Sequence, residues 1–472
     1  MPQTQSPVSL DNWLTYLETL HPQEIDLGLD RVRAVAQRLK LRIPCRVITV
    51  AGTNGKGSVC AMLEAILEAA GYDTACYTSP HLVHFNERIR VRAAMASDEA
   101  IIRQFERIEA ARADISLSYF EFATLAALLL FQEEDVDIAI LEVGLGGRLD
   151  AVNIVDADCA VVTSIDIDHT GYLGDTREAI AVEKAHVFRP GKPAICADPV
   201  PPRSLIDHAH QIGADLWLFG KDFNYSGDQL QWAYGGRSQR RGALGYPALR
   251  GANQLLNASA ALAALEAMLP DIVVPAHALR LGLLHAALPG RFQIMPGEPV
   301  TILDVAHNPH AAAALGQNLA HMPAAGRTHA VIGMFHDKDI TGVLEHLAEH
   351  VDYWYCTDLG MQRSLSAQAL AGLVERVRQD HVSGASETNL PTTGQAGPPD
   401  ASASEAANGK HPGVRPGVRP RRTLMDTEIL TFNNPVAAFH AAQEAASVND
   451  RILVAGSFAT VGPVLGSFNN AN

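Results

Sequence analysis

Lys56 stands among glycines at the end of an apolar run, in Val47-Ile48-Thr49-Val50-Ala51-Gly52-Thr53-Asn54-Gly55-Lys56-Gly57-Ser58. The run reads as a buried strand entering a tight turn, and residues 59–70 have helical spacing closed by Gly71. Such a turn binds phosphate. Glycines let the backbone approach an anion, N–H groups at the helix start point at it, and the lysine adds a mobile charge. Thr53, Asn54, Gly55, Lys56, Gly57 and Ser58 are therefore candidate phosphate ligands. The spacing departs from G-x-x-x-x-G-K-[ST]: Ser58 follows the lysine by two positions, which leaves open whether it meets a metal.

Other titratable groups stand where strands should end. Val136-Asp137-Ile138-Ala139-Ile140-Leu141-Glu142 runs into Gly144-Leu145-Gly146-Gly147-Arg148-Leu149-Asp150. An acid inside so apolar a strand is costly without a cation, and a hard carboxylate beside a phosphate turn suits Mg²⁺. Asp166-Ile167-Asp168-His169-Thr170 follows another apolar run, and His169 reads equally as a ligand or as a satisfied loop histidine. Ser79 follows Thr74-Ala75-Cys76-Tyr77-Thr78, where Ser-Pro is also a common turn starter. Asp304 ends Val300-Thr301-Ile302-Leu303, and Pro309 suits the first turn of the next helix. Lys184, in Glu183-Lys184-Ala185, reads from its neighbours alone as a solvated helix lysine.

These groups need a scaffold that brings strand ends together. Strands and helices alternate through residues 47–220, which implies a mostly parallel sheet covered on both faces. Ligands bind such sheets at the carboxyl ends of the strands. Helices are expected within 10–40, at 98–112, 119–131, 176–187 and 203–212, short hairpins at 221–250, and two helices over 251–287. Leu288-Pro289-Gly290-Arg291-Phe292 opens a linker, taken as 289–299 between a first domain, 1–288, and a smaller α/β domain, 300–472. Residues 381–423, rich in Ser, Thr, Gly and Pro, read as a disordered insertion.

Bulk properties set further bounds. A net charge of -15 argues against a nucleic-acid partner. The six cysteines form no C-x-x-C pair and read as buried free thiols. With no signal peptide and no apolar run of about 20 residues, a cytoplasmic protein without a membrane partner is expected. A monomer is the default.

Taken together, Ala51–Ser58, Thr78–Leu82, Glu142–Asp150, Asp166–Thr170, Leu288–Phe292 and Asp304–Pro309 resemble the folylpolyglutamate synthase family of muramyl-type ATP-dependent ligases. Ile25–Arg31 and Ile115–Phe122 look closest to its bifunctional branch, which also makes dihydrofolate. The resemblance implies a P-loop-type first domain and a glutamate-ligase second domain. It implies ATP on Thr53 to Ser58, Asn257, Arg291 and Asp304, and magnesium at two sites, on Ser79, Glu142 and His169. It implies pteroate on Asp26, Leu27, Gly28, Leu29, Ser118, Tyr119, Phe120, Glu121, Leu149, Asp150 and Ala151. Lys184 matches a lysine that the family carbamoylates to N6-carboxylysine, against the solvated reading. His307 lies near the expected glutamate, so Lys56, Lys184 and His307 are the catalytic candidates. Expected substrates are dihydropteroate, reduced folates and L-glutamate. A chain extender acting only on folates, and a nucleotide-switched binding protein, are the competing expectations.

Overall fold

The computed structural model describes residues 7–23, 25–228, 230–322, 326–387 and 428–469. Most of the expected insertion lies outside these residues; its first positions continue the helix Ala367–Glu387.

The first domain is built on eight strands: β1 (Arg46–Ala51), β2 (Thr74–Tyr77), β3 (Ile89–Val91), β4 (Ala94–Met95), β5 (Ile138–Glu142), β6 (Cys159–Val162), β7 (Pro193–Cys196) and β8 (Asp215–Leu218). Their order is β4-β3-β2-β5-β1-β6-β7-β8. The six strands from β2 to β8 in that order run parallel, and β3 and β4 add an antiparallel edge. Apolar residues fill both faces of the parallel strands because helices cover both. Ile48 and Val50 face a layer that includes the helices Lys56–Ala69, Gln254–Ala267 and Ala276–His285. Val47 faces the opposite layer, with Leu10–Leu20, Asp30–Arg38, Asp98–Arg112 and Tyr119–Glu134.

β1 lies between β5 and β6, and the chain leaves it for β2 on one side while β6 lies on the other. That is a topological switch point, where a crevice opens at the strand ends. The loops after β1, β2, β5 and β6 all meet there. The expected hairpins form a separate antiparallel sheet of β9 (Asn224–Gly227), β10 (Trp232–Gly235) and β11 (Arg240–Leu244). It is anchored by the buried Trp232 and Tyr234.

The second domain holds β12 (Gln293–Met295), β13 (Val300–Leu303), β14 (Thr328–Ile332), β15 (Tyr353–Thr357), β16 (Ile429–Phe432) and β17 (Arg451–Ala455). Their order is β12-β13-β17-β14-β15-β16, parallel except for β12. The stretch expected as linker therefore contributes an edge strand, so the free connection is shorter than its composition suggests. Asn308 caps the helix Pro309–His321 by accepting from Ala311 N–H (2.9 Å), and Pro309 takes the first turn as expected. No helix among the described residues is long and apolar enough to cross a membrane. All six cysteines are free thiols, five of them buried.

Candidate active site

The turn after β1 is shaped by two glycines that nothing else replaces. Gly52 has φ 145° and Gly55, the residue before the helix, φ 90°. A Cβ on Gly52 would lie 1.8 Å from Thr163 Oγ1, and one on Gly55 2.5 Å from Asn257 Oδ1. The loop is also tied to β6. Thr163 Oγ1 donates to Asn54 O (2.7 Å), and Thr53 N–H to Ser164 O (2.7 Å). Lys56 folds back and donates to Gly52 O (3.0 Å) and Thr53 O (3.1 Å), so the cradle has its charge in place. Ser58 is buried beside the neighbouring helix of its own layer, accepting from Gln254 Nε2 (3.4 Å).

Around this loop the fold gathers Ser79, Glu142, His169, Lys184, Asn257, Arg291, Asp304 and His307, all lining one cleft of about 420 Å³. Glu142 is 5% exposed, and accepts one hydrogen bond, from Ser79 N–H (3.2 Å). Burial raises its pKa, against the pull of Lys56, that N–H and Arg291. Burial lowers His169 to about 4, which leaves the imidazole neutral; Lys338 Nζ sits 3.3 Å from its Nε2. No three His, Cys, Asp or Glu side chains among the described residues are grouped as a metal cage. A magnesium ion that keeps waters and shares phosphate oxygens needs only one or two carboxylates. The nearly unpartnered Glu142 beside a phosphate cradle fits such an ion.

Lys184 is 5% exposed and donates to Gly52 O (2.9 Å), so the solvated reading of its local sequence does not hold. Burial, and then the charge of Lys56, lowers its pKa to about 7. Arg291 is half-buried with its guanidinium 5.0 Å from the Phe458 ring centroid. Burial lowers its pKa while Asp304 and Glu142 oppose that shift. Asp304 accepts from Phe292 N–H and Ala306 N–H, both 2.8 Å, which fixes the connection to the second domain.

Three participants were not singled out from the sequence. Asp168 accepts from Lys338 Nζ (2.6 Å) and Asn308 Nδ2 (3.1 Å), and lies 3.6 Å from His307 Nε2. Burial alone would raise Asp168; the contact from His307 and the charge of Lys338 outweigh it and hold the carboxyl far below its usual range. Asn308 also exchanges two hydrogen bonds with Asn54 (3.1 and 3.2 Å). The only local hint was Asp168's place beside His169. Lys338 belongs to a polar loop after β14, 170 positions away, and nothing in its own neighbourhood pointed to the cleft.

The segments expected to bind pteroate form one connected wall beyond that cleft, and none of their residues lines it. Asp26 accepts from Arg31 (2.6 Å) and meets His21 Nε2 (3.1 Å); Arg31 reaches Glu121 (3.2 Å). Ser118 and Glu121 cap each other's backbone at the start of the helix Tyr119–Glu134. Phe120 covers Gly144, where a Cβ would lie 2.6 Å from its ring. Asp150 accepts from Leu145 N–H (2.8 Å) and Val152 N–H (2.9 Å), and burial raises it to about 6. Leu149 and Ala151 flank it. The carboxylates of Asp26, Glu121 and Asp150 already have protein partners, so they hold the wall in shape. Gly28 has open space where a Cβ would go, so no protein neighbour requires a glycine there.

Residues 50–265 match the Mur ligase middle domain, and residues 290–393 the Mur ligase glutamate ligase domain. The dihydrofolate synthase/folylpolyglutamate synthase of Escherichia coli (strain K12) is 51% identical over 370 residues, 78% of this chain and 86% of its own. The structure of E. coli FolC in complex with DHPP and ADP superposes with a TM-score of 0.84 at 42% identity, covering 98% of both chains. A bifunctional folylpolyglutamate synthase/dihydrofolate synthase with Mn, AMPPNP and L-glutamate bound gives 0.82 at 40% identity, over 98% of this chain and 100% of that one. A phosphate cradle at a switch point, facing a glutamate ligase domain across one cleft, defines a Mur-type ligase. Within that class the chain belongs to the dihydrofolate synthase/folylpolyglutamate synthase family.

Proposed function

We propose that this chain uses ATP to join L-glutamate to 7,8-dihydropteroate, giving dihydrofolate, and to reduced folates, lengthening a glutamate tail. The observation that carries this reading is the single cleft in which Lys56, Glu142, His169 and Lys184 of one domain meet Asp304, His307 and Lys338 of the other. A nucleotide switch needs the cradle alone; a ligase needs the second domain's groups beside it.

The chemistry follows from the poor reactivity of a carboxylate toward amines. Transfer of the ATP γ-phosphoryl group to the acceptor carboxylate gives an acyl phosphate and ADP. The free amine of glutamate attacks the acyl carbon, and phosphate leaves. Catalysis here is mostly positioning and charge stabilisation. Thr53 to Ser58 hold the phosphates, Lys56 offsets charge on the transferring group, and Asn257, Arg291 and Asp304 hold the nucleotide. Magnesium held by Ser79, Glu142 and His169 would supply further positive charge against the phosphate oxygens. Lys184, poised near neutral pH by burial, offers the uncharged amine that takes up CO₂. The resulting carbamate would add an anionic oxygen pair facing the same phosphates and cations. His307 lies on the glutamate side, and the wall from Asp26 to Ala151 receives the pteroate. Domain closure excludes the water that would hydrolyse the acyl phosphate.

The test is ADP release with Mg²⁺-ATP and L-glutamate, run separately with dihydropteroate and with a reduced folate, with products identified by mass. One glutamate added to each acceptor is expected. Addition to the folate alone would leave a chain extender. ATP binding without turnover of either would favour the switch.

A further inference from the structure

Arg88 is a buried cation without an anionic partner. Its side chain belongs to a residue only 9% exposed. The guanidinium lies beside two rings that meet edge to face, 5.7 Å from the Phe85 centroid and 5.5 Å from that of Tyr119, with the centroids 6.0 Å apart. Its one side-chain hydrogen bond among the described residues goes from Nε to His81 Nδ1 (2.8 Å). No carboxylate pairs with it there. Glu87, next in sequence, is occupied: its carboxylate accepts from the N–H groups of Leu82, Val83 and His84. The neighbouring arginines behave otherwise. Arg90 grips Glu64 through Nε and Nη2, Arg177 grips Asp198, and Arg31 bridges Asp26 and Glu121.

Removing a guanidinium from water is unfavourable unless a counter-charge compensates. Arg291, though only half-buried, likewise lies against an aromatic ring without a carboxylate hydrogen bond, and it lines the nucleotide cleft. Arg88 does not line that cleft. His81, to which it donates, comes two residues after Ser79 of the cleft, and Tyr119 beside it opens the proposed pteroate wall. A planar fork in this position suits a second carboxylate, one carried near the reacting carboxylate but not identical to it.

We infer that Arg88 recognises the α-carboxylate of the glutamyl residue on a folate acceptor, and so acts as a specificity residue for chain extension. This rests on the ligase reading above. Dihydropteroate has a single carboxylate, the one that reacts; a folate monoglutamate has an additional α-carboxylate beside its reacting γ-carboxylate. The residue therefore has work to do with one acceptor that it lacks with the other.

The experiment compares wild type, Arg88→Gln and Arg88→Lys on dihydropteroate, on a reduced folate monoglutamate, and on the folate analogue with 4-aminobutyrate in place of its glutamyl residue. That analogue has no α-carboxylate. Arg88→Gln should lose at least tenfold more kcat/KM on the folate than on dihydropteroate, mainly through KM. Arg88→Lys should recover part of the loss, since it keeps the charge without the fork. Wild type should discriminate against the analogue, and Arg88→Gln should discriminate much less. Equal losses on folate and dihydropteroate, or undiminished discrimination against the analogue, would overturn the assignment, and the dihydropteroate rate also reports whether the variant still folds. Failure of wild type to turn over either acceptor would instead bring down the ligase reading, and this inference with it.

Discussion

Lys184 combines stability and function in one side chain. Its amine is buried, donates to Gly52 O, and has its pKa lowered from 10.5 to about 7 by burial and then by Lys56. Between those two values the unfolded chain binds one more proton than the folded chain, so stability rises with pH across that window. The penalty is complete below about 7 and is gone above 10.5. In CO₂-depleted buffer, Lys184→Met should therefore be more stable than wild type by about 2–4 kcal/mol near neutral pH. The gain should shrink as pH rises. Denaturant unfolding at a series of pH values measures it; a gain independent of pH would contradict the burial argument. The same variant should lose turnover if the amine carries the carbamate.

At the scale of elements, the cradle depends on how β1 meets β6. Gly52 has no room for a side chain, because Thr163 fills that space and its hydroxyl is bound to Asn54 O. Gly52→Ala must push the end of β6 away and also place alanine at φ 145°. The expected cost is about 2–4 kcal/mol of stability, with nucleotide binding lost at ordinary concentrations. Thermal melts and nucleotide titration test both parts. A variant that binds ATP normally would mean the loop tolerates a quite different path. By contrast, the capping box of Ser118 and Glu121 holds its helix start by local bonds that no remote strand supplies.

At the scale of the molecule, the two domains meet through polar contacts beside an apolar one, where Leu82 and Val83 pack against the second domain's core. Asn54 pairs with Asn308, Asp168 receives Lys338, and Ala252 N–H donates to Asn318 Oδ1 (3.0 Å). Interfaces of this polar kind permit relative motion. Lys338 and Asp168 are both largely buried, with side chains 6% and 10% exposed, so their ion pair is a closing contact rather than a solvated one. Lys338→Met should weaken the closed state by about 1–3 kcal/mol, within the usual range of coupling between sites. Turnover should fall correspondingly, and small-angle scattering with a bound ATP analogue should give a larger radius of gyration than wild type. Unchanged scattering and turnover would make the pair incidental.

The local sequence determined what local physics controls. An apolar run, a glycine turn and a lysine at a helix start announced the strand, turn and helix of the cradle, and Pro309 announced the next domain's first helix. Glu142 stood out because a carboxylate in an apolar strand needs an explanation. The alternation of strands and helices gave the parallel sheet, although the short β3–β4 edge and β12 were too brief to read as strands. The wall of Asp26, Glu121 and Asp150 was reached through family resemblance, since cap-like acids look alike from their neighbours. Only the tertiary structure decided which distant groups meet. Lys184 looked solvated because its own helix is amphipathic; the packing of that helix beneath the cradle, unreadable from nearby residues, buried it against Gly52. Lys338 reaches Asp168 across a domain boundary, and Arg88 meets rings from its own turn and from the start of the helix Tyr119–Glu134 in place of a carboxylate. Burial and charge pairing are properties of neighbours in space, and the chain alone orders them only in sequence.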